Sequence, residues 1–256
     1  MGSQIRQRQL IDILRNDPTV LVNDLARKFD VSGSTIRRDL NDLEKIGIVR
    51  RVHGGAIVED HLAKEPPFEV REITQRDEKA LVGKAAASVV KDGMTIFIDG
   101  GTTTPFIVPN LKGLEKLTVV TVGLNVVCEL VSFPSIITIQ LGGELHIKTQ
   151  TFAGPLSVQI LQTCGLSFDL AFISAVGVSA AYGATNQILD RVPQKQEAIQ
   201  LSRKVAIVVD GLKIGQVALA HIVSMQDVDV LITDPSSPIE ELNAIRALGP
   251  EIILAE

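Results

Sequence analysis

The sequence predicts an α/β protein in two parts: a small winged helix-turn-helix domain over residues 1–58 and a larger α/β domain over residues 77–256. Three observations predict it. Apolar residues recur with helical spacing up to Leu43, and two short β-branched runs follow. Beyond Thr95, near-continuous aliphatic runs bounded by glycine or aspartate alternate with helical patterns, as in a mostly parallel sheet. Charge is split as well. Residues 1–56 carry ten Lys/Arg against seven Asp/Glu, net +3, and the remainder carries 15 against 23, net −8. A mildly basic head on an acidic body suits local contact with a polyanion and repulsion elsewhere.

In the head, Leu10, Ile13 and Leu14 form the stripe of a helix over Ser3–Arg15, which Asp17-Pro18 ends. Val20-Leu21-Val22 reads as a brief extended segment, after which Asn23 caps a short helix through Leu25, Ala26 and Phe29. Asp30-Val31-Ser32 turns the chain. Ser32 is then the N-cap of the next helix, whose Ile36, Leu40 and Leu43 face inward. Its other face carries Ser34, Thr35, Arg37, Arg38, Asn41 and Lys45, the hydroxyl, guanidinium and amide groups that bind phosphates and base edges. Gly47 stops that helix. Ile48–Val52 and Ala56–Val58 flank His53-Gly54-Gly55 as a hairpin with Arg50 and Arg51 at its root. Three helices, a tight turn and a hairpin make a winged helix-turn-helix whose exposed helix face fits a DNA major groove.

Residues 59–76, rich in charge and containing Pro66-Pro67, read as a partly stiff linker on which Phe68 is the one candidate for docking. Asp77–Lys91 resumes a helical pattern through Leu81, Ala85 and Val89. Strands are expected at Thr95–Asp99, Leu117–Thr121, Ile136–Leu141, Leu170–Ala175, Val205–Asp210, Val228–Thr233 and Ile252–Leu254, with helices at Gln194–Arg203 and Ile239–Leu248 among them. Without tryptophan and with 4% aromatics, the core must be aliphatic.

Composition also excludes. Cys128 and Cys164 lack the spacing of a zinc site or disulfide framework and read as buried thiols. The four histidines show no metal or triad spacing, so no metal, cofactor or catalytic residue is expected. No signal-peptide core or membrane-length apolar stretch is found, which places the chain in the cytoplasm with no membrane partner. No G-x-G-x-x-G follows the first strand, which argues against a nucleotide-dependent oxidoreductase.

Ligands of open α/β sheets bind beyond the carboxyl ends of the strands. There, Asp99-Gly100-Gly101-Thr102-Thr103-Thr104-Pro105 combines a strand end, two glycines, three hydroxyls and a helix start with Thr104 as cap and Pro105 at the first position. Open N–H groups beside hydroxyls form a cradle for an anion, above all phosphate. Pro109 breaks or kinks that helix after about one turn. Gly142-Gly143 and the loop Asp210-Gly211-Leu212-Lys213 are further candidates, Lys213 as a point charge for phosphate. Lys195 reads as a surface residue.

The run LARKFDVSGSTIRRDLNDLEKIGIVRRVHGGA resembles the N-terminal signature of DeoR-type bacterial transcriptional regulators, through Thr35-Ile36-Arg37-Arg38-Asp39-Leu40 and Arg51-x-His53-Gly54-Gly55-Ala56. The C-terminal part is similar to that family too. The resemblance implies an effector domain like the sugar-phosphate isomerase and CoA-transferase fold. In it the loop matching Asp99–Thr103, the Gly142-Gly143 turn, the loop at Leu124-Asn125 and the lysine matching Lys213 surround a phosphorylated sugar. Two departures fall on the sugar-facing wall: Thr121-Val122 stands where the family has Thr-Asn, and a glycine expected near Ser174 is missing.

The expectation is therefore a regulator, most simply a repressor of a sugar-metabolism operon, with operator DNA and a phosphorylated sugar as partners. Its DNA contacts would be Ser32, Ser34, Thr35, Arg37, Arg38, Asn41, Arg50, Arg51, His53, Gly54 and Gly55. Its effector contacts would be Asp99, Gly100, Gly101, Thr102, Thr103, Thr104, Asn125, Gly142, Gly143 and Lys213. A single small head reads few bases, so a homodimer or homotetramer is expected. The alternative is a sugar-phosphate isomerase with a DNA-binding appendage. It needs a general base, and Ile173-Ser174-Ala175-Val176-Gly177-Val178 offers neither carboxylate nor histidine.

Overall fold

The computed structural model describes residues 6–7, 9–10, 13–14, 20–45, 49–52, 55–58 and 66–256. It divides into two compact units, Met1–Thr74 and Gln75–Glu256.

In the first unit the described residues between Arg6 and Leu14 are helical. After them come α1 (Val22–Lys28), α2 (Gly33–Lys45), the antiparallel hairpin β1 (Val49–Val52) and β2 (Gly55–Val58), and α3 (Phe68–Ile73). Leu10, Leu14, Val22, Leu25, Ile36, Leu40, Leu43, Val49 and Ala56 form one core. The sequence places the α1 cap at Asn23, but Leu21 holds the N-cap position and Val22 is already helical. Burial decides this, because a start at Val22 puts Val22, Leu25 and Ala26 on one inward face. Asp17-Pro18, Gly47, His53 and Gly54 lie outside the described residues.

The segment read as a linker is helical in part. Pro67 takes the N-cap position of α3, Phe68 is buried, and Val70 joins the head core. Arg71 donates to the Pro66 carbonyl at 3.0 Å, its guanidinium 5.8 Å from the Phe68 ring centre. Six residues are too few to display a helical period, so composition alone suggested a tether.

The second unit is built on seven parallel strands in the order β14-β13-β11-β8-β3-β4-β5. These are β3 (Thr95–Ile98), β4 (Thr118–Thr121), β5 (Ile137–Gln140), β8 (Leu170–Ile173), β11 (Val205–Val208), β13 (Val230–Thr233) and β14 (Glu251–Leu254). On one face α4 (Arg76–Ala87), a 3-10 helix (Thr104–Leu111) and α5 (Leu124–Leu130) cover Ile96, Ile98, Val119 and Phe172. On the other, α6 (Pro155–Thr163), α7 (Val192–Gln200) and α8 (Ile239–Arg246) cover Phe97, Val120, Ile173 and Ile207. Alternate residues of the inner strands thus serve opposite layers, as a sheet buried on both faces requires, while β5 at the edge is largely exposed. A hairpin of β6 (Glu144–His146) and β7 (Thr151–Ala153) and a small sheet of β9 (Gly177–Ser179), β10 (Gly183–Asn186) and β12 (Ala220–Val223) complete the unit.

The helix expected over Asp77–Lys91 ends at Ala87, and its buried apolar stripe is Val82 and Ala86, continued by Val90 just past its end, one residue on from the expected Leu81, Ala85 and Val89, with Leu81 exposed. Gly83 explains the rotation. A Cβ there would lie 2.4 Å from the Phe106 carbonyl carbon and oxygen, so this face lies hard against the 3-10 helix. Cys128 and Cys164, expected inside, are exposed. Val126 and Leu130 are the buried side of α5, which leaves Cys128 outward, and Cys164 sits just past α6.

Gly83→Ala gains about 1 kcal/mol of helix propensity. Overpacking against backbone costs about 1–3 kcal/mol, the upper part of that range where nothing flexible can yield. A net fall in the denaturant midpoint of the full chain is the expected outcome.

Candidate functional site

The head presents a helix with a firm start. Ser32 Oγ accepts from Thr35 N–H at 3.2 Å and lies 2.7 and 2.8 Å from the hydroxyls of Ser34 and Thr35. Ile36, Leu40 and Leu43 are sealed in the core, whereas Ser34, Arg37 and Arg38 are exposed and Thr35 and Asn41 half-buried. Arg37 and Arg38 have no acidic partner among the described residues, so two cations on one helix face are free for phosphate or base edges. Arg50 and Arg51 lie in β1 opposite Ile57 and Ala56, and Gly55 opens β2. Sequence reasoning passed over Asp39. Its carboxylate is buried and accepts from Arg6 Nε at 2.5 Å and Nη2 at 3.2 Å, which raises the Arg6 pKa above the ordinary arginine value. The pair ties the N-terminal helix to α2. The signal was an acid inside an apolar stripe, between Ile36 and Leu40.

In the body, the chain runs from β3 through β4 to β5 on one side, then returns to β8 on the other side of β3. Carboxyl-terminal loops diverge at such a switch point and open a crevice. Asp99 stands there, buried, and its carboxylate is saturated. Oδ2 accepts from Ser174 N–H at 3.0 Å, from Ser174 Oγ at 2.9 Å and from Lys195 Nζ, while Oδ1 accepts from Gly100 N–H at 2.8 Å. Lys195, expected on the surface, is 3% exposed and also donates to the Ser174 carbonyl at 2.9 Å. The correction has a plain cause: Lys195 shares the inward face of α7 with Gln194 and Ala198, and only a carboxylate makes that burial tolerable.

The threonine loop is tighter than expected. Thr104 is no cap, because Thr103 holds the N-cap position of the 3-10 helix and Thr104 Oγ1 donates to the Asp99 carbonyl at 2.7 Å. Pro105, expected at the first position, is the second residue of that helix and is tolerated in its first turn, whereas the ring of Pro109, inside it, would collide with the i−4 carbonyl of an α-helix, which disfavours α winding. Thr102 Oγ1 accepts from the buried Lys79 at 3.1 Å. A Cβ on Gly100 would meet Thr151 Oγ1 at 2.5 Å, and one on Gly101, whose φ is +154°, would meet Ser174 Oγ at 3.0 Å. What stays open is the backbone: the N–H groups of Gly101, Thr102 and Thr103 meet no acceptor among the described residues. Asn125 closes the far side, donating to the Gly101 carbonyl at 2.7 Å.

The other candidates are more distant in the sheet. Gly142-Gly143 follows β5, with β4 between it and β3, and it seats α6: Ser157 donates to the Gly142 carbonyl, and a Cβ on Gly143 would strike Ser157 Oγ. Lys213 is half-buried on the turn after β11, with β8 between that strand and β3. Buried polar atoms without a partner among the described residues mark the same end of the sheet: Asp210 Oδ1 after β11, Gln140 Oε1 at the end of β5, and both atoms of the Gln194 amide beside Lys195. Such groups supply hydrogen bonds to a polar ligand or to water. Among the described residues no cluster of three or more metal-ligating side chains occurs, and no helix is long and apolar enough to cross a membrane.

Residues 6–61 match the model of the DeoR-like helix-turn-helix domain and residues 74–235 that of the DeoR C terminal sensor domain. The chain is 34% identical to the HTH-type transcriptional regulator GolR of Listeria innocua over 90% of this chain and 89% of the relative. It is 31% identical to a putative aga operon transcriptional repressor of Escherichia coli O157:H7 over 99% and 94%. It is 30% identical to the glycerol-3-phosphate regulon repressor of Escherichia coli K12 over 94% of each. Among solved structures, ribose 5-phosphate isomerase A of Methanocaldococcus jannaschii superposes with a TM-score of 0.40 at 17% identity, over 55% of each chain. The chain belongs to the DeoR family of DNA-binding transcriptional regulators.

Removing one partner of a buried ion pair costs about 3–5 kcal/mol. Lys195→Met therefore lowers the body's stability by that order, and the double change Lys195→Met with Asp99→Asn recovers part of it in a denaturation double-mutant cycle. Asp39→Asn has the corresponding effect on the head, read as earlier loss of duplex binding on heating.

Proposed function

We propose that this DeoR-family regulator is a repressor of a sugar-metabolism operon, released or reshaped by a phosphorylated sugar. The observation that carries the reading is the loop at the β3/β8 switch point. There, three unpaired backbone N–H groups beside a saturated Asp99–Lys195–Ser174 network leave anion recognition, not proton transfer, as the available chemistry. Residues 77–256 would hold the effector, residues 1–58 the operator, and residues 59–76 the coupling between them. Gly101, Thr102 and Thr103 would grip the phosphate, Asn125 and the open polar atoms near Gln194 and Asp210 the hydroxyls, and Lys213 would add a charge from the β11 side. The relative named as repressor of the glycerol-3-phosphate regulon supports a phosphorylated small molecule as the signal.

On DNA, Arg37 and Arg38 are the base or phosphate contacts, with Ser34, Thr35 and Asn41 around them and the β1–β2 hairpin on the adjacent backbone. A cytoplasmic homo-oligomer on a repeated or palindromic operator follows from the small footprint of one head. Isomerase activity is disfavoured because the Asp99 carboxylate is held by Gly100, Ser174 and Lys195 and Ile173–Val178 holds no base.

A sugar phosphate raises the melting temperature of the full chain by mass action while the matching free sugar does not. A screen in which neither class shifts the transition removes the sensor assignment. Arg38→Ala weakens operator binding by about 1–3 kcal/mol, selectively if Arg38 reads a base and uniformly with a shallower salt slope if it holds a phosphate. Unchanged affinity and slope would exclude that helix face.

A further inference from the structure

We infer that the open edge of β5 is where a second copy of this chain docks, strand to strand across a two-fold axis. The inference rests on the proposal that two heads act together, and it locates the contact. β5 is the last strand on its side of the sheet. Ile137 N–H donates to Leu117 at 3.0 Å and Leu141 N–H to Thr121 at 2.9 Å, so alternate residues spend their backbone on β4. The backbone groups of Thr138 and Gln140 therefore face outward, and no described residue pairs with them. Ile137 is 59% exposed and Ile139 39%, with Thr138 exposed between them, and Val131 in the turn before the strand is 77% exposed.

Soluble proteins guard such edges with charges, prolines or bulges. The opposite edge is guarded: Pro250 precedes β14, Glu251 begins it and Glu256 follows it. The β5 edge is not. From Val131 to Gly143 there is no charged residue, in a body (residues 77–256) that carries 12 Lys/Arg against 18 Asp/Glu, net −6. Charge selects the occupant. Two acidic bodies repel over most of their surfaces and can approach along a neutral strip, where a cationic partner would find nothing to pair with. Geometry agrees, since an antiparallel strand pair about a two-fold axis is self-complementary, each copy offering what the other needs.

The test is the assembly mass of the full chain by sedimentation equilibrium at micromolar concentration. The comparison is between wild type, Ile137→Lys and Thr138→Pro, the proline being tolerated because the N–H it removes points away from β4. The expected result is halving of the mass in both variants. Circular dichroism and the melting shift given by a sugar phosphate should stay at wild-type values. Mixing Ile137→Lys protein with Ile137→Glu protein should restore the larger species. A monomeric wild type, or variants that keep the wild-type mass, would overturn the inference. If the halved variants bound duplex as tightly as wild type, this contact would stand and the paired-head reading would fail instead. Assembly only when another protein is added would assign the edge to a foreign strand and overturn it as well.

Discussion

A lysine ammonium that is 3% exposed needs a counter-charge, and Lys195 finds it in Asp99. That pair joins four parts of the body at one point: the end of β3 through Asp99, the end of β8 through Ser174, the helix α7 through Lys195, and the Gly100-Gly101 turn through Gly100 N–H and carbonyl. Isolated burial of either charge would cost several kcal/mol, so the network is stable only when complete. A loop fixed in this way holds its remaining N–H groups, on the buried residues Gly101, Thr102 and Thr103, in one arrangement without an acceptor among the described residues. Their orientation is set before any ligand arrives, and less ordering entropy is lost on binding.

The head uses the same device at smaller scale. Arg6 and Asp39, 33 residues apart, form a buried forked pair between the N-terminal helix and α2. The exposed side of α2 can then carry Arg37 and Arg38 without internal partners, because its fixed position comes from Ile36, Leu40, Leu43 and Asp39 beneath. In the proposed function, affinity for a polyanion falls to these guanidinia and rigidity to the buried pair. In both units a charged residue within an apolar face does the positioning while neighbouring unpaired donors remain available for recognition.

Much of this could be read from the residues. The Ile36–Leu40–Leu43 stripe, the Ser32 cap and the places of the seven parallel strands along the chain follow from periodicity and from glycine or aspartate at strand ends, which are local signals, whereas the order of those strands in the sheet does not. The Asp99 loop was legible for the same reason. Lys195, Ser174 and Lys79 were not, because their roles depend on residues between 23 and 96 positions away. No local pattern separates a buried lysine from a solvated one. The stripe of α4 lies one residue on from the local period since its partner, the Phe106 backbone, is set by the fold, and Thr104 is no cap because its hydroxyl turns back to the Asp99 carbonyl. In α3 the helix was too short for its period to show.

In the proposed regulator two binding events share one chain, and thermodynamic linkage makes their coupling measurable. If a sugar phosphate biases the arrangement of the heads, operator DNA must change the affinity for that sugar phosphate by the same factor in the same sense. The decisive measurement is a titration of the full chain with a stabilising sugar phosphate by calorimetry, with and without a duplex selected by the protein from a random pool. The account predicts dissociation constants that differ by about 5–150-fold, the usual range for such coupling, with a matching change in duplex affinity when the order is reversed. Equal dissociation constants in the two titrations would contradict it.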